Sequence, residues 1–183
     1  MAHTDSYKTQ FHNGQYYHVF NRAISNELLF RNPDNYEFFL RQYRKYMSDS
    51  VDTVAYCLLP NHFHFCIKVL NQELVSRRFR CLFQSYALAY NKVFRRRGTL
   101  MERPFKRILV TDNHLTRLIR YIHQNPEKHG YSDDFRCWEW SSYSELLNEV
   151  PRVVTSDFAV EWFQNKEEFI DFHRTIETES RLE

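Results

Sequence analysis

The stretch Leu58-Leu59-Pro60-Asn61-His62-Phe63-His64-Phe65-Cys66-Ile67-Lys68-Val69 decides how this chain folds. Pro60-Asn61 is a turn signal between two runs of β-forming residues. Side chains along a strand alternate between faces, so residues two apart share one. Phe63, Phe65, Ile67 and Val69 are apolar and bury one face. His62 and His64 then project together from the other, close enough to hold one metal ion. Two histidines on a half-exposed strand with no chemical task fit the H-x-H pattern as well. So does a zinc site that adds Cys66, but three consecutive same-face residues span too far to ligate one ion comfortably.

The elements on either side complete a sheet. Tyr16 to Ile24 has the composition of a strand. Pro33 opens a helix to about Met47, with Phe38, Phe39, Tyr43 and Tyr46 towards the core. Val51 to Leu59 is a second strand. Asn71 caps a long helix expected to run to about Arg97, where Gly98 stops it. Phe105 to Val110 is a fourth strand. Thr111 or Asp112 caps a further helix with Leu115, Leu118, Ile119 and Ile122 inward, and Pro126 is expected to end it. The order β-α-β-β-α-β-α predicts an α+β fold, and its first six elements match the ferredoxin-like split βαβ arrangement. Helices cover one face of that antiparallel sheet. The open face carries His62 and His64, and the last helix covers part of it. On that helix Tyr121 and Asn125 are four apart, hence neighbours beside the buried stripe.

Past Gly130, Trp138-Glu139-Trp140-Ser141-Ser142-Tyr143 suggests a structured loop leading to a short helix. Asn165 caps a final helix with Glu168 three residues on, and Phe169, Phe172, His173 and Ile176 give its apolar stripe to about Glu177. Residues 131–183 are thus expected to form a helical extension packed on a core spanning residues 1–130.

Composition narrows the function. Of 183 residues, 43% are hydrophobic and 17% aromatic, enough for a packed core. Three glycines exclude a glycine-loop nucleotide binder. No apolar run approaches the ~20 residues of a membrane span. Four cysteines without C-x-x-C spacing, and no visible secretory signal, fit a reduced cytoplasmic protein. The net charge of +2 conceals an asymmetry. Residues 77–128 hold 13 basic and 3 acidic side chains, net +10, whereas residues 129–183 hold 5 and 13, net −8. A basic block of that size suits a polyanion. Its candidate DNA contacts are Arg77, Arg78, Arg95, Arg96, Arg97, Arg103, Lys106 and Arg107, with Arg22 from the first strand. Tyr86, Tyr90, Phe94 and Phe105 lie among them but are expected mostly in the core.

The ordered motifs resemble a known family. Tyr17-His18-Val19-Phe20-Asn21-Arg22, Leu59-Pro60-Asn61-His62-Phe63-His64, Gly98-Thr99-Leu100, Phe105-Lys106, Tyr121-Ile122-His123-Gln124-Asn125-Pro126 with Gly130, and Trp138 to Tyr143 together span about residues 16–143. This set is similar to the single-tyrosine HUH transposases, in particular the REP-associated tyrosine transposase branch. Met101 departs from it, since these proteins usually place an aromatic after the leucine. The resemblance implies that His62, His64 and Asn125 bind a divalent metal, Mg²⁺ or Mn²⁺. It implies that Tyr121 attacks a DNA phosphate to leave a free 3′-hydroxyl and a 5′-phosphotyrosine. Tyrosine has an ordinary pKa of about 10, so only about one in a thousand is phenolate at pH 7, a deficit of ~4 kcal/mol. A metal on a nonbridging oxygen answers that deficit from the electrophile's side. The implied partner is single-stranded or hairpin DNA, handled by a monomer or a homodimer with no membrane association. A different class of protein fits the same residues: a domesticated, non-catalytic binder of single-stranded DNA or RNA on the ferredoxin-like sheet.

Overall fold

The computed structural model describes residues 9–25, 27–148, 152–155, 163 and 165–174. Strand β1 (Tyr16–Arg22) leads through helix α1 (Pro33–Met47) to β2 (Val51–Leu59) and β3 (His62–Val69). Helix α2 (Gln72–Val93), β4 (Lys106–Val110) and α3 (Asp112–Lys128) follow, then a 3₁₀ turn (Phe135–Cys137), α4 (Tyr143–Asn148) and α5 (Lys166–Arg174). The strands form one antiparallel sheet in the order β2-β3-β1-β4, the expected ferredoxin-like topology.

The H-x-H alternation sets the two faces. Phe63, Phe65, Ile67 and Val69 are fully buried beneath α1 and α2, in a core rich in aromatic rings. Tyr43 stacks on Phe65 with ring centroids 4.2 Å apart. Tyr86, Tyr90 and Phe105 belong to this core rather than to the surface, and Phe94 packs against it. Met101 is buried there too and bridges Ala23, so the departure at this position lies in a packing contact. The opposite face carries a smaller cluster of Ala55, Cys57, Leu59 and Cys66 under Leu115, Leu118, Ile119 and Ile122 of α3.

Two helix ends differ from expectation for one physical reason. Helix α2 stops at Val93 rather than Arg97, because Arg95 adopts a left-handed conformation (φ 50°) and Arg96 N–H closes the end on Asn91 C=O at 2.8 Å. Helix α3 passes through Pro126 to Lys128. Its end is set by Gly130 (φ 69°), whose N–H bonds Glu127 C=O while Tyr131 N–H bonds Pro126 C=O, a Schellman closure. A left-handed residue just past the last turn therefore outranks both nearby sequence signals.

The Trp138–Tyr143 segment runs along the outer edge of β2. Leu58 N–H bonds Trp140 C=O at 2.8 Å, Ser142 N–H bonds Tyr56 C=O at 2.9 Å, and Trp138 Nε1–H bonds Leu58 C=O at 2.9 Å. Trp140 stacks on Tyr36 of α1 at 4.5 Å. The motif thus covers donors and acceptors that an open strand edge exposes. The buried Glu145 accepts from Tyr56 Oη and from the backbone N–H groups of Arg152, Val153 and Val154, which fastens that segment to the sheet. Helix α5 starts as expected, with Glu168 N–H on Asn165 Oδ1 at 2.8 Å. Ile176 and Glu177 lie outside the described residues. Among the described residues, no helix is long and apolar enough to cross a membrane.

Candidate active site

Strand β3 delivers two histidines in graded environments. His62, at the turn end, is partly exposed, whereas His64 is 1% exposed. Their rings lie edge to face with centroids 5.1 Å apart. His62 Nδ1 sits 2.6 Å from Asn61 Oδ1. An amide oxygen only accepts, so the proton is on Nδ1 and Nε2 carries the lone pair. His64 Nδ1 lies 2.9 Å from Nε2 of His18, a buried residue on the same face of neighbouring β1. Burial lowers the His18 pKa to about 3. Burial, then the neighbouring His18, His62 and His129, hold His64 well below the ordinary imidazole range. Both rings are neutral at pH 7, the form in which imidazole ligates metal.

Helix α3 crosses over this pair. Tyr121 presents its ring edge-on to His64, centroids 5.6 Å apart, and to His18 at 6.1 Å. Two turns later His129 meets His62 at 4.7 Å. Residues i and i+4 share a helix face, so Asn125 lies on the side of α3 from which Tyr121 meets His64. Its Nδ2 donates to Tyr121 C=O at 2.7 Å. A carbonyl cannot donate in return, which fixes the amide with Oδ1 on the other side. Among the described residues, the buried side-chain polar atoms left without a hydrogen-bond partner are His64 Nε2 and Asn125 Oδ1. Buried polar atoms are nearly always satisfied, so such a pair calls for an explanation.

That donor set fits a cation. Among the described residues no three His, Cys, Asp or Glu side chains converge as a metal site, so a cation held here with three protein ligands would draw on an amide oxygen such as that of Asn125. Cys66 does not extend the set: it lies in the apolar cluster under α3, and no group of three His, Cys, Asp or Glu side chains converges among the described residues. Lys128 places its ammonium 5.1 Å from the Tyr121 ring centre, a position that favours negative charge on the phenol or on a phosphate beside it.

The expected DNA-binding residues do not form one patch. Arg22 and Lys106 share the face of the H-x-H pair, Arg22 directly across from His62 in the β1–β3 register. Both contact Glu102, at 2.6 and 3.6 Å. Arg107 faces the other way, donating to Thr9 C=O at 2.5 Å and lying over Phe11 and Phe105. Arg96 is engaged by Glu27, Asn91 and Thr99, and Arg78 by Asp49. Arg77, Arg95, Arg97 and Arg103 are exposed. A cavity of about 980 Å³, lined by Arg80, Phe83, Gln84, Arg103 and Arg107 among others, opens between α2 and the 98–107 segment, across the sheet from Tyr121.

Sequence reasoning did not find His18 or His129. His18 lies within the Tyr17-His18-Val19 motif, but only the β1–β3 pairing reveals its role. His129 stands four residues beyond Asn125, a spacing that identifies it once the helix is known to pass Pro126.

No family model matches the chain. A curated protein of Haemophilus influenzae named "Putative REP-associated tyrosine transposase" is 26% identical over 103 residues, covering 50% of this chain and 58% of that relative. The chain thus aligns with little more than half of that protein's length. Among solved structures, a REP-associated tyrosine transposase bound to a REP hairpin superposes with a TM-score of 0.67 at 18% identity, over 82% of this chain and 91% of the other. The chain is therefore similar in sequence to one REP-associated tyrosine transposase and in fold to another, the family its ordered motifs resemble.

Proposed function

We propose that this chain is a metal-dependent single-stranded DNA endonuclease and strand transferase acting through a 5′-phosphotyrosine on Tyr121. The carrying observation is that His64 Nε2 and Asn125 Oδ1, two of the three expected ligand atoms, are buried without partners. His62, His64 and Asn125 would hold the cation. Imidazole donors suit Mn²⁺ better than Mg²⁺. Once bound, it would polarise a nonbridging phosphate oxygen and help hold the phosphorus in line.

The rest of the chemistry belongs to the chain. Tyr121 Oη attacks phosphorus and loses its proton to solvent. The P–O3′ bond breaks, and the departing 3′ oxygen takes up a proton as a hydroxyl. Lys128 steadies the negative charge beside the ring. The reverse attack by a 3′-hydroxyl restores a phosphodiester, so joining needs no external energy source. Tyr121 packs on His64 of its own chain, which supports a site complete in a monomer. The substrate is hairpin-forming repeat DNA, by analogy with the hairpin-bound relative in fold. Residues 1–130 form the catalytic core. Within the extension over 131–183, α5 helps hold the catalytic helix in place, since Arg120 and Gln124 of α3 bond the backbone carbonyls of Phe172 and His173 at its end.

The test is adduct formation on a single-stranded hairpin oligonucleotide with Mn²⁺. A covalent adduct that survives SDS, is lost with EDTA and is absent from Tyr121→Phe is expected. DNA binding without an adduct would instead identify a non-catalytic binding protein.

A further inference from the structure

His18 takes no part in the reaction just described, yet it is 2% exposed and held on three sides. Phe20 stacks on it at 4.6 Å, His64 stacks at 5.2 Å with the rings 24° apart, and Tyr121 closes edge-on. Its Nε2 is 2.9 Å from His64 Nδ1. A single proton lies between those two nitrogens, and its owner decides what His64 can do.

If His18 donates, neutral His64 carries its own proton on Nε2. That nitrogen is buried and has no acceptor. A buried donor left unmade is costly, and orphaned N–H groups are rarer than under-used acceptors. If His64 donates, its Nε2 holds a bare lone pair, the arrangement a metal ligand requires. We propose that His18 is a positioning residue that accepts the Nδ1–H of His64 and so fixes both the tautomer and the ring orientation of that ligand. This inference rests on the metal reading of the H-x-H pair. The two histidines are then oriented alike by unlike partners: His62 near solvent by the Asn61 amide oxygen, and His64 in the interior by an imidazole. An outer partner of this kind typically changes metal affinity by about 10–100-fold.

The tautomer can be observed without metal or DNA. Nitrogen-15 long-range correlation spectra of the wild-type protein should show His64 protonated on Nδ1, and protonation on Nε2 would overturn the proposal. His18→Leu removes the acceptor at similar volume, whereas His18→Gln retains an acceptor at the end of a side chain of comparable reach. Titration with Mn²⁺ alone should show affinity lowered about 10–100-fold in His18→Leu and largely restored in His18→Gln. Equal affinity in wild type and His18→Leu would refute the positioning role while leaving the metal site standing. A wild-type protein that binds no Mn²⁺ would remove the metal reading and this role with it. If His18→Leu fails to fold, the wild-type tautomer and the His18→Gln titration still decide.

Discussion

On the α1/α2 side of the sheet, Phe65 is fully buried and its ring is matched by Tyr43, Tyr56 and Phe39. One residue earlier on the same strand, His64 is almost as buried, beneath α3, and one of its ring nitrogens meets nothing. The faces share strands, register and depth. They differ in that one is satisfied by the protein alone and the other is not. A face that is finished packs for stability, while a face with two orphaned atoms beneath a tyrosine keeps acceptors that a bound ligand would satisfy. The same division recurs within α3. Ile119 and Ile122 close the small core, while Tyr121 meets His64 and Asn125 Oδ1 is buried without a partner.

The largest effects should come from breaking this contrast along β3. Phe65→Ala empties a fully buried aromatic site and should cost about 3–5 kcal/mol of folding stability, read from the urea midpoint. His62→Ala and His64→Ala should instead abolish divalent metal binding, read by calorimetry. Retention of one bound ion by the double histidine variant would show that the cation sits elsewhere. Asn125→Ala should be milder, because water can replace a neutral amide oxygen.

A second effect separates α5 from the rest. His173 Nδ1 lies 2.7 Å from Phe169 C=O, which can only accept, so that nitrogen carries the proton. His173 Nε2 then accepts from His123 Nδ1–H at 2.8 Å, and His123 Nε2 accepts from Ser142 Oγ–H at 2.8 Å. With both rings neutral, each donor along this chain of bonds meets an acceptor. Burial lowers the His173 pKa to about 4, with Arg120 acting in the same sense and the bond to Phe169 opposing. Burial, then His173, likewise depresses His123. An unfolded histidine titrates near 6.5, so between about pH 6.5 and 4 the unfolded chain binds more protons than the folded one. Stability is therefore complete above that window and falls as pH drops through it, by on the order of 3 kcal/mol at most for His173. His173→Phe should be less stable than wild type at pH 7, where it leaves the His123 donor unmet. The two stability curves should converge towards pH 4, and parallel curves would mean that His173 titrates normally.

Much of this was legible in the sequence, and the failures share a cause. Periodicity placed the four strands and α1, because face alternation and capping are local. That Tyr121 and Asn125 stand together on one helix was legible because helix neighbours are fixed by spacing. His18 was not, since its partner lies 46 residues away across a strand pairing. The ends of α2 and α3 were missed because Arg95 and Gly130, through their backbone conformations, override Gly98 and Pro126. Charge counting overstated the basic block for a related reason. It cannot see that Arg96 and Arg78 already have carboxylate partners, or that the sheet divides Lys106 from Arg107.

The smallest expected effect tests which face the DNA follows. Arg22 and Lys106 stand on the histidine face, while Arg78 and Arg96 belong to α2 and the loop after it and are tied to Asp49 and Glu27. Each phosphate neutralised on a single strand contributes a slope of about −0.7 to the plot of log affinity against log salt. Replacing both Arg22 and Lys106 by alanine should therefore flatten that slope by about 1.4 and weaken all sequences alike. Loss of these two cations also leaves Glu102 uncompensated beside the site, which should weaken binding further without steepening the salt dependence. Arg78→Ala with Arg96→Ala should leave the slope unchanged if the strand follows the histidine face, because those groups belong to α2 and the loop after it, across the sheet from Tyr121. The reverse result would carry the strand over the α2 side, where Arg80, Arg103 and Arg107 line the 980 Å³ cavity. The histidine face would then meet only the nucleotides being cut.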